Sequence, residues 1–334
     1  QRQMCIRDRA NPPEQTTDWS YSAGVYQELM ALENEIGSHS YTHPDNTNLL
    51  TPDTQQILDL VALVDPTNPN AVDPWTLSQA DRTILEQSFR IQFETSRRVI
   101  EEQLGIVVGG AAVPGAPENI DTTREIIRFY DYLSGGYSSV GAGFPGAFGY
   151  LTPGEDSKVY LAPNMSFDFS LIQFLGLTPE EASAVWSEEY EEITAHATTP
   201  ILAFPWHDYG PTNFSAGYDY PLEIFEAVIS QAHADGTEFV TGQQLADRIE
   251  AYAASELVVT RDGDVVTATV TSSDAGHFAL DMGGEGTIAS VDGWYAWNDT
   301  DVLLPRDGGT FVVSLGTAQD VTHLTALPDR AELI

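Results

Sequence analysis

Apolar positions recur at helical spacing through most of the first 255 residues and at strand spacing beyond them. Between residues 78 and 104, Ile84, Leu85, Ser88, Phe89, Gln92, Phe93, Ser96, Val99 and Ile100 fall at i, i+3, i+4 intervals. That pattern predicts one long helix with a single core-facing stripe, started by Ser78 and stopped by Gly105. Further helices are expected over 19–34, 52–63, 121–132, 179–194, 221–234 and from 241 onward; the fourth opens on Thr178-Pro179-Glu180-Glu181, a good helix start. Short apolar runs around 36, 107–113, 201–205 and 238–240 read as strands between them. Strands alternating with helices predict an α/β fold built on a parallel sheet. After Ala254 the period changes. Residues 257–270 read as a hairpin turning at Asp262-Gly263. Turn signals then separate short strands near 276–281, 288–291, 294–297, 302–304, 310–315 and 322–327, the pattern of a small all-β sandwich.

Charge narrows the partners. Fifty acidic residues stand against fourteen basic ones, and Lys158 is the sole lysine. Such a surface repels nucleic acid and anionic membranes. It suits either life at high salt or acidic secretion. Cys5 is the only cysteine, so no disulfide framework is available. No apolar run approaches the length of a membrane span.

The chemistry concentrates in Glu35-Ile36-Gly37-Ser38-His39-Ser40-Tyr41-Thr42-His43-Pro44. Two imidazoles four residues apart share one face of a turn and make a workable ligand pair for one cation. This stretch resembles the second motif of the NodB-homology polysaccharide deacetylases, carbohydrate esterase family four, which reads Glu-Ile-Gly-x-His-Ser/Thr-x-x-His. The resemblance implies that His39 and His43 bind Zn2+ or another divalent transition metal. It continues at Phe204-Pro205-Trp206-His207-Asp208 and at Glu238-Phe239-Val240-Thr241, which are similar to the family's terminal motifs. It thereby implies His207 as the general acid at the mouth of the barrel that holds the metal. Val113-Pro114-Gly115 matches the middle motif only in part: Ala112 stands where the family has arginine and Ala116 where it has glycine. Arg90, Arg97 and Arg98 read as salt-bridged surface groups rather than substitutes. Asp168, in Ser166-Phe167-Asp168-Phe169, is a candidate for the fourth motif but is left unassigned. Pro114, Trp206, Asp208 and Tyr137 are weaker substrate-binding candidates, the last in a glycine- and aromatic-rich stretch over 135–154 that either lines a sugar site or covers a barrel end.

The family's first motif, Thr-Phe-Asp-Asp, supplies the catalytic base and a third metal ligand, and it is absent here. Met4 to Arg9 reads Met-Cys-Ile-Arg-Asp-Arg, a translation that resembles a sequencing-transposon adapter. Residues 1–9 are therefore expected to be adapter-derived and unpacked, with a gap in the sheet beside the strand carrying Ile36. The expected architecture is an incomplete (β/α)7-type deacetylase barrel over 10–254, followed by a β-sandwich accessory domain over 255–334. The expected activity is metal-dependent N-deacetylation of an amino-sugar polysaccharide, extracellular or in the cell envelope, with this fragment inactive alone. Two alternatives stand beside it: a same-fold hydrolase of non-sugar amides, and a non-catalytic carbohydrate-binding or surface protein with a degenerate barrel.

Overall fold

A computed structural model of the chain describes residues 4–6, 19–65, 68–73, 76–115, 118–135, 148–150, 159–161, 163–196, 200–207, 220–284 and 286–317. The chain divides into two compact units, Gln1–Asn164 with Val240–Ala246, and Met165–Phe239 with Asp247–Ile334.

The first unit is an α/β layer. Strands β1 (Met4–Ile6), β2 (Ile36–Ser38), β3 (Gly110–Ala112), β4 (Tyr132–Ser134), β5 (Phe148–Tyr150) and β6 (Val159–Leu161) form one sheet in the order β1-β2-β3-β4-β6-β5. Every pairing is parallel except that of β5 with β6. Helices α1 (Trp19–Ala31), α2 (Gln55–Val64), α3 (Gln79–Glu86), α4 (Ser96–Leu104) and α5 (Ile120–Ile127) make the connections. Side-chain caps set their starts: Thr54, Ser78 and Asn119 each accept backbone N–H groups of the first turn. Gly105, left-handed at φ 68°, ends α4. Ile36, Ala111, Leu133 and Tyr160 from the strands pack with Phe89, Phe93, Ile100 and Ile126 in one core.

Three expectations change here. The sheet has no gap beside β2, because Met4–Ile6 pairs with Ile36–Ser38 in parallel register. An open edge leaves backbone N–H and C=O groups unpaired, and even a three-residue strand relieves that. The long helix over 78–104 is interrupted. Ser88 forms a bridge with Thr51, and Arg90–Thr95 winds as a wide π-type turn before α4 begins. The apolar stripe survives, because Leu85, Phe89, Phe93 and Ile100 all remain buried. Finally, 201–207 and 237–240 run without strand pairing.

The arginines near the middle motif are committed elsewhere, as salt-bridged groups should be. Arg90 holds Asp53 and Glu94, and its guanidinium is pushed further above its ordinary value, chiefly by the hydrogen bond to Asp53. Arg98 does the same with Asp65, while Arg97 donates to the Phe129 carbonyl.

In the second unit, α6 (Pro179–His196) and α7 (Leu222–Ala234) enclose a core rich in aromatics, with Trp186, Tyr190 and Tyr220 buried beside Ile224 and Val228. Helix α8 (Gly242–Ala253) begins in the first unit and continues into the second from Asp247. Then come β7 (Glu256–Asp262), β8 (Val265–Thr271), β9 (Ala279–Asp281), β10 (Ile288–Val291), β11 (Asp301–Leu303) and β12 (Gly308–Leu315). They form a four-stranded antiparallel sheet, β10-β12-β8-β7, and a two-stranded ribbon, β11-β9. Val266, Ala268, Phe311 and Val313 from the sheet share a core with Leu280 and Val302 from the ribbon. Residues 294–297 form no strand. Trp294 instead packs on this core, with its indole N–H on the Leu303 carbonyl at 2.6 Å, while Tyr295 is exposed. The expected strand at 322–327 lies outside the described residues. Among the described residues no helix is long and apolar enough to cross a membrane.

Candidate functional site

The His39–His43 segment leaves the C-terminal end of β2, the end where α/β sheets collect functional groups. The opposite end is tied down by Glu35. Its carboxylate accepts from the Tyr132 hydroxyl at 2.7 Å and from the Gln243 backbone N–H at 2.9 Å, so it also serves the amino-terminal turn of α8. Glu35 is therefore an anchor that fixes where β2 begins.

The loop after β2 is backbone-strained. Ser40 and His43 adopt left-handed φ values of 71° and 57°, each costing a non-glycine residue about 1–2 kcal/mol. Such conformations persist where surrounding bonds over-determine them. The buried Ser40 hydroxyl accepts from the His43 backbone N–H at 3.0 Å. Gly115, at φ 75°, lies so close that a Cβ there would come within 2.6 Å of the Pro44 carbonyl oxygen and closer still to that of Asp45. Pro114, buried just before it, helps hold this wall.

Within the loop the two rings meet at a centroid distance of 4.9 Å and an interplanar angle of 71°. His39 Nδ1 lies 3.1 Å from the Ala112 carbonyl. A carbonyl only accepts, so Nδ1 carries the hydrogen and Nε2 carries the ring's lone pair. Backbone support of this kind is what orients imidazoles that ligate metals. Zn–N bonds of about 2.0–2.1 Å at a tetrahedral angle put two imidazole centroids about 5 Å apart. The observed centroid separation of 4.9 Å is of that size. Among the described residues no group of three or more His, Cys, Asp or Glu forms a fuller set.

His207 belongs to the second unit, and there it is bound to Asp168. Its Nδ1 is 2.9 Å from Asp168 Oδ1, and its backbone N–H donates to Asp168 Oδ2 at 3.0 Å. The Tyr220 hydroxyl donates a short hydrogen bond to the same Oδ2. Asp168 is fully buried, while the His207 side chain keeps 28% exposure. The Phe167 ring packs 4.4 Å from the imidazole and that of Phe169 6.4 Å away. The loop carrying Asp168 is itself clamped: Glu189 on α6 accepts from both the N–H and the hydroxyl of Ser166, and Trp186 donates to the Ser166 carbonyl. A buried carboxylate on Nδ1 holds the imidazole in one tautomer and leaves Nε2 as the ring nitrogen that Asp168 does not engage.

The remaining candidates divide. Trp206 packs against Trp186, Phe204, Tyr220 and Phe225, so its visible role is in the aromatic core. Asp208 and Tyr137 lie outside the described residues. Asp168, the fourth-motif candidate, finds its partner only in the fold, as the carboxylate on His207. Gln92 stands at an apolar-stripe position, yet a buried glutamine there needs four hydrogen-bond partners.

Comparison with known proteins gives little more. No family model matches the chain, and no curated protein matches it. Among the solved structures similar to it is "Crystal structure of Puue Allantoinase", which aligns at TM-score 0.45 and 13% identity over 70% of this chain. The alignment spans 64% of that structure's length.

Proposed function

We propose that this chain carries the cation-binding histidines and the proton donor of a metal-dependent hydrolase that removes N-acetyl groups from an amino-sugar polysaccharide outside the cell or in its envelope. The finer architecture in this reading is an incomplete (β/α)7-type barrel with a β-sandwich accessory domain. The observation that carries the proposal is the buried Asp168 carboxylate on Nδ1 of a partly exposed histidine. That arrangement costs desolvation, and its return is an imidazole held in one orientation and one tautomer.

In this reading His39 and His43 hold Zn2+ or another divalent transition metal. When bound, the ion supplies Lewis-acid polarisation of the amide carbonyl and acidifies water. His207, protonated and steadied by Asp168, donates its proton to the departing amine. Phe167 and Phe169 keep water from one side of the imidazole. The sequence carries no Thr-Phe-Asp-Asp motif to supply the carboxylate base.

The test is calorimetric and chemical. Zinc titrated into the purified chain is expected to bind one-to-one and weakly, with binding lost in His39→Ala and His43→Ala and kept in His207→Ala. In a full-length enzyme that carries the base, acetate release from N-acetylated glucosamine oligomers is expected to fall about 10²–10⁴-fold in His207→Ala. Zinc binding indifferent to both loop histidines would overturn the metal reading. Turnover indifferent to His207 would overturn the acid role, and hydrolysis of small amides in preference to oligomers would overturn the substrate class.

A further inference from the structure

The fully buried Gln92 sits in a stripe with Leu85, Ser88, Phe89, Phe93, Ser96 and Ile100. Its Oε1 accepts the backbone N–H groups of Tyr41 at 3.2 Å and Thr42 at 2.9 Å. Its Nε2 donates to Thr42 Oγ1 at 2.8 Å and to the Glu86 carbonyl at 2.6 Å. Both lone pairs and both amide hydrogens are used. Backbone N–H groups can only donate and a carbonyl can only accept, so the orientation of the amide is decided by its partners. Three of the four bonds go to the two residues between Ser40 and His43, the two left-handed positions of the loop. A glutamine satisfied within its own helix would hold nothing else. This one reaches across because Arg90–Thr95 is wound as a π-type turn, a form that recurs at functional sites.

We infer that Gln92 is a positioning residue: by gripping Tyr41 and Thr42 it holds the strained turn that brings the His39 and His43 rings together. The effect on the cation rests on the proposed function above; the effect on the loop does not. The core therefore reaches the ligand pair through one side chain, and the spacing of the imidazoles depends on the interrupted helix beneath them.

Two readouts test this separately. In Gln92→Met, which keeps the volume and removes the hydrogen bonds, amide hydrogen exchange at Tyr41 and Thr42 is expected to accelerate at least about 100-fold beyond the change in global stability. Ile100→Val, a core change in α4, should leave those amides following global stability alone. If Gln92→Met does not fold, Gln92→Asn withdraws the same amide from the loop and reads the same way. Zinc affinity is expected to fall about 10–100-fold in Gln92→Met and to hold in Ile100→Val. Exchange at Tyr41 and Thr42 that merely follows global stability overturns the inference, as does unchanged zinc affinity in a wild type that binds zinc. A wild type that binds no zinc defeats the metal reading, and the exchange data still decide the role of Gln92.

Discussion

Replacing Asp168 separates the two kinds of work its carboxylate does. In the native chain it accepts from the His207 imidazole at 2.9 Å, from the His207 backbone N–H at 3.0 Å and from the Tyr220 hydroxyl. Asparagine is nearly isosteric. Its carbonyl can keep the backbone and tyrosine bonds, while its NH2 group, facing Nδ1, must donate. The imidazole can answer only by moving its own hydrogen to Nε2. The bonds survive as neutral ones, so Asp168→Asn should cost about 1–2 kcal/mol, the difference between charge-assisted and neutral hydrogen bonds. Alanine removes the acceptor of all three bonds from a fully buried position, and Asp168→Ala should cost about 3–5 kcal/mol, the range for breaking a buried pair from one side. Urea unfolding followed by tryptophan fluorescence suits the measurement, since Trp186 and Trp206 pack in the same unit. Side-chain nitrogen NMR of His207 should show Nδ1 protonated in the native chain and Nε2 protonated in Asp168→Asn. Equal costs for the two substitutions, or an unchanged tautomer, would refute the assignment of these bonds.

Two other outcomes follow from the packing. Gly115→Ala should cost about 2–4 kcal/mol, because the new methyl meets the Pro44 and Asp45 carbonyls and φ is 75°; a denaturation midpoint equal to wild type would show that the β3 exit does not press on the histidine loop. Burial raises the Tyr190 phenol above its ordinary 10, aided by the Asp235 charge. The unfolded chain therefore ionises first, so the stability contribution is whole below that pH and is lost as pH rises past it. Denaturation measured from about pH 9 to 11 should show that loss, and Tyr190→Phe should flatten it.

Much of the molecule was legible wherever the deciding forces are local. Helices α6, α7 and α8 declared themselves by period and by starts such as Thr178-Pro179. The β7–β8 hairpin declared itself by alternation about Asp262-Gly263, where Gly263 takes the positive φ the turn needs. The four-residue spacing of His39 and His43 put both on one turn, where their rings meet at 4.9 Å. What stayed hidden depends on partners far along the chain. Asp168 meets His207 across 39 residues, and Gln92 meets Thr42 across 50. No local pattern encodes those meetings, because both polar groups are buried only once the fold has closed around them. Strands β4 and β6 were missed for a related reason: three-residue strands buried on both faces show no alternation to read. The helix expected over 78–104 is the converse. Its apolar stripe is real, but the backbone between Gln87 and Thr95 departs from the α-helix to pair with Thr51 and to aim Gln92 at the histidine loop. Periodicity determined which face would be buried; only tertiary contacts, which reward a buried amide for finding all four partners, decided how the chain would wind to bury it.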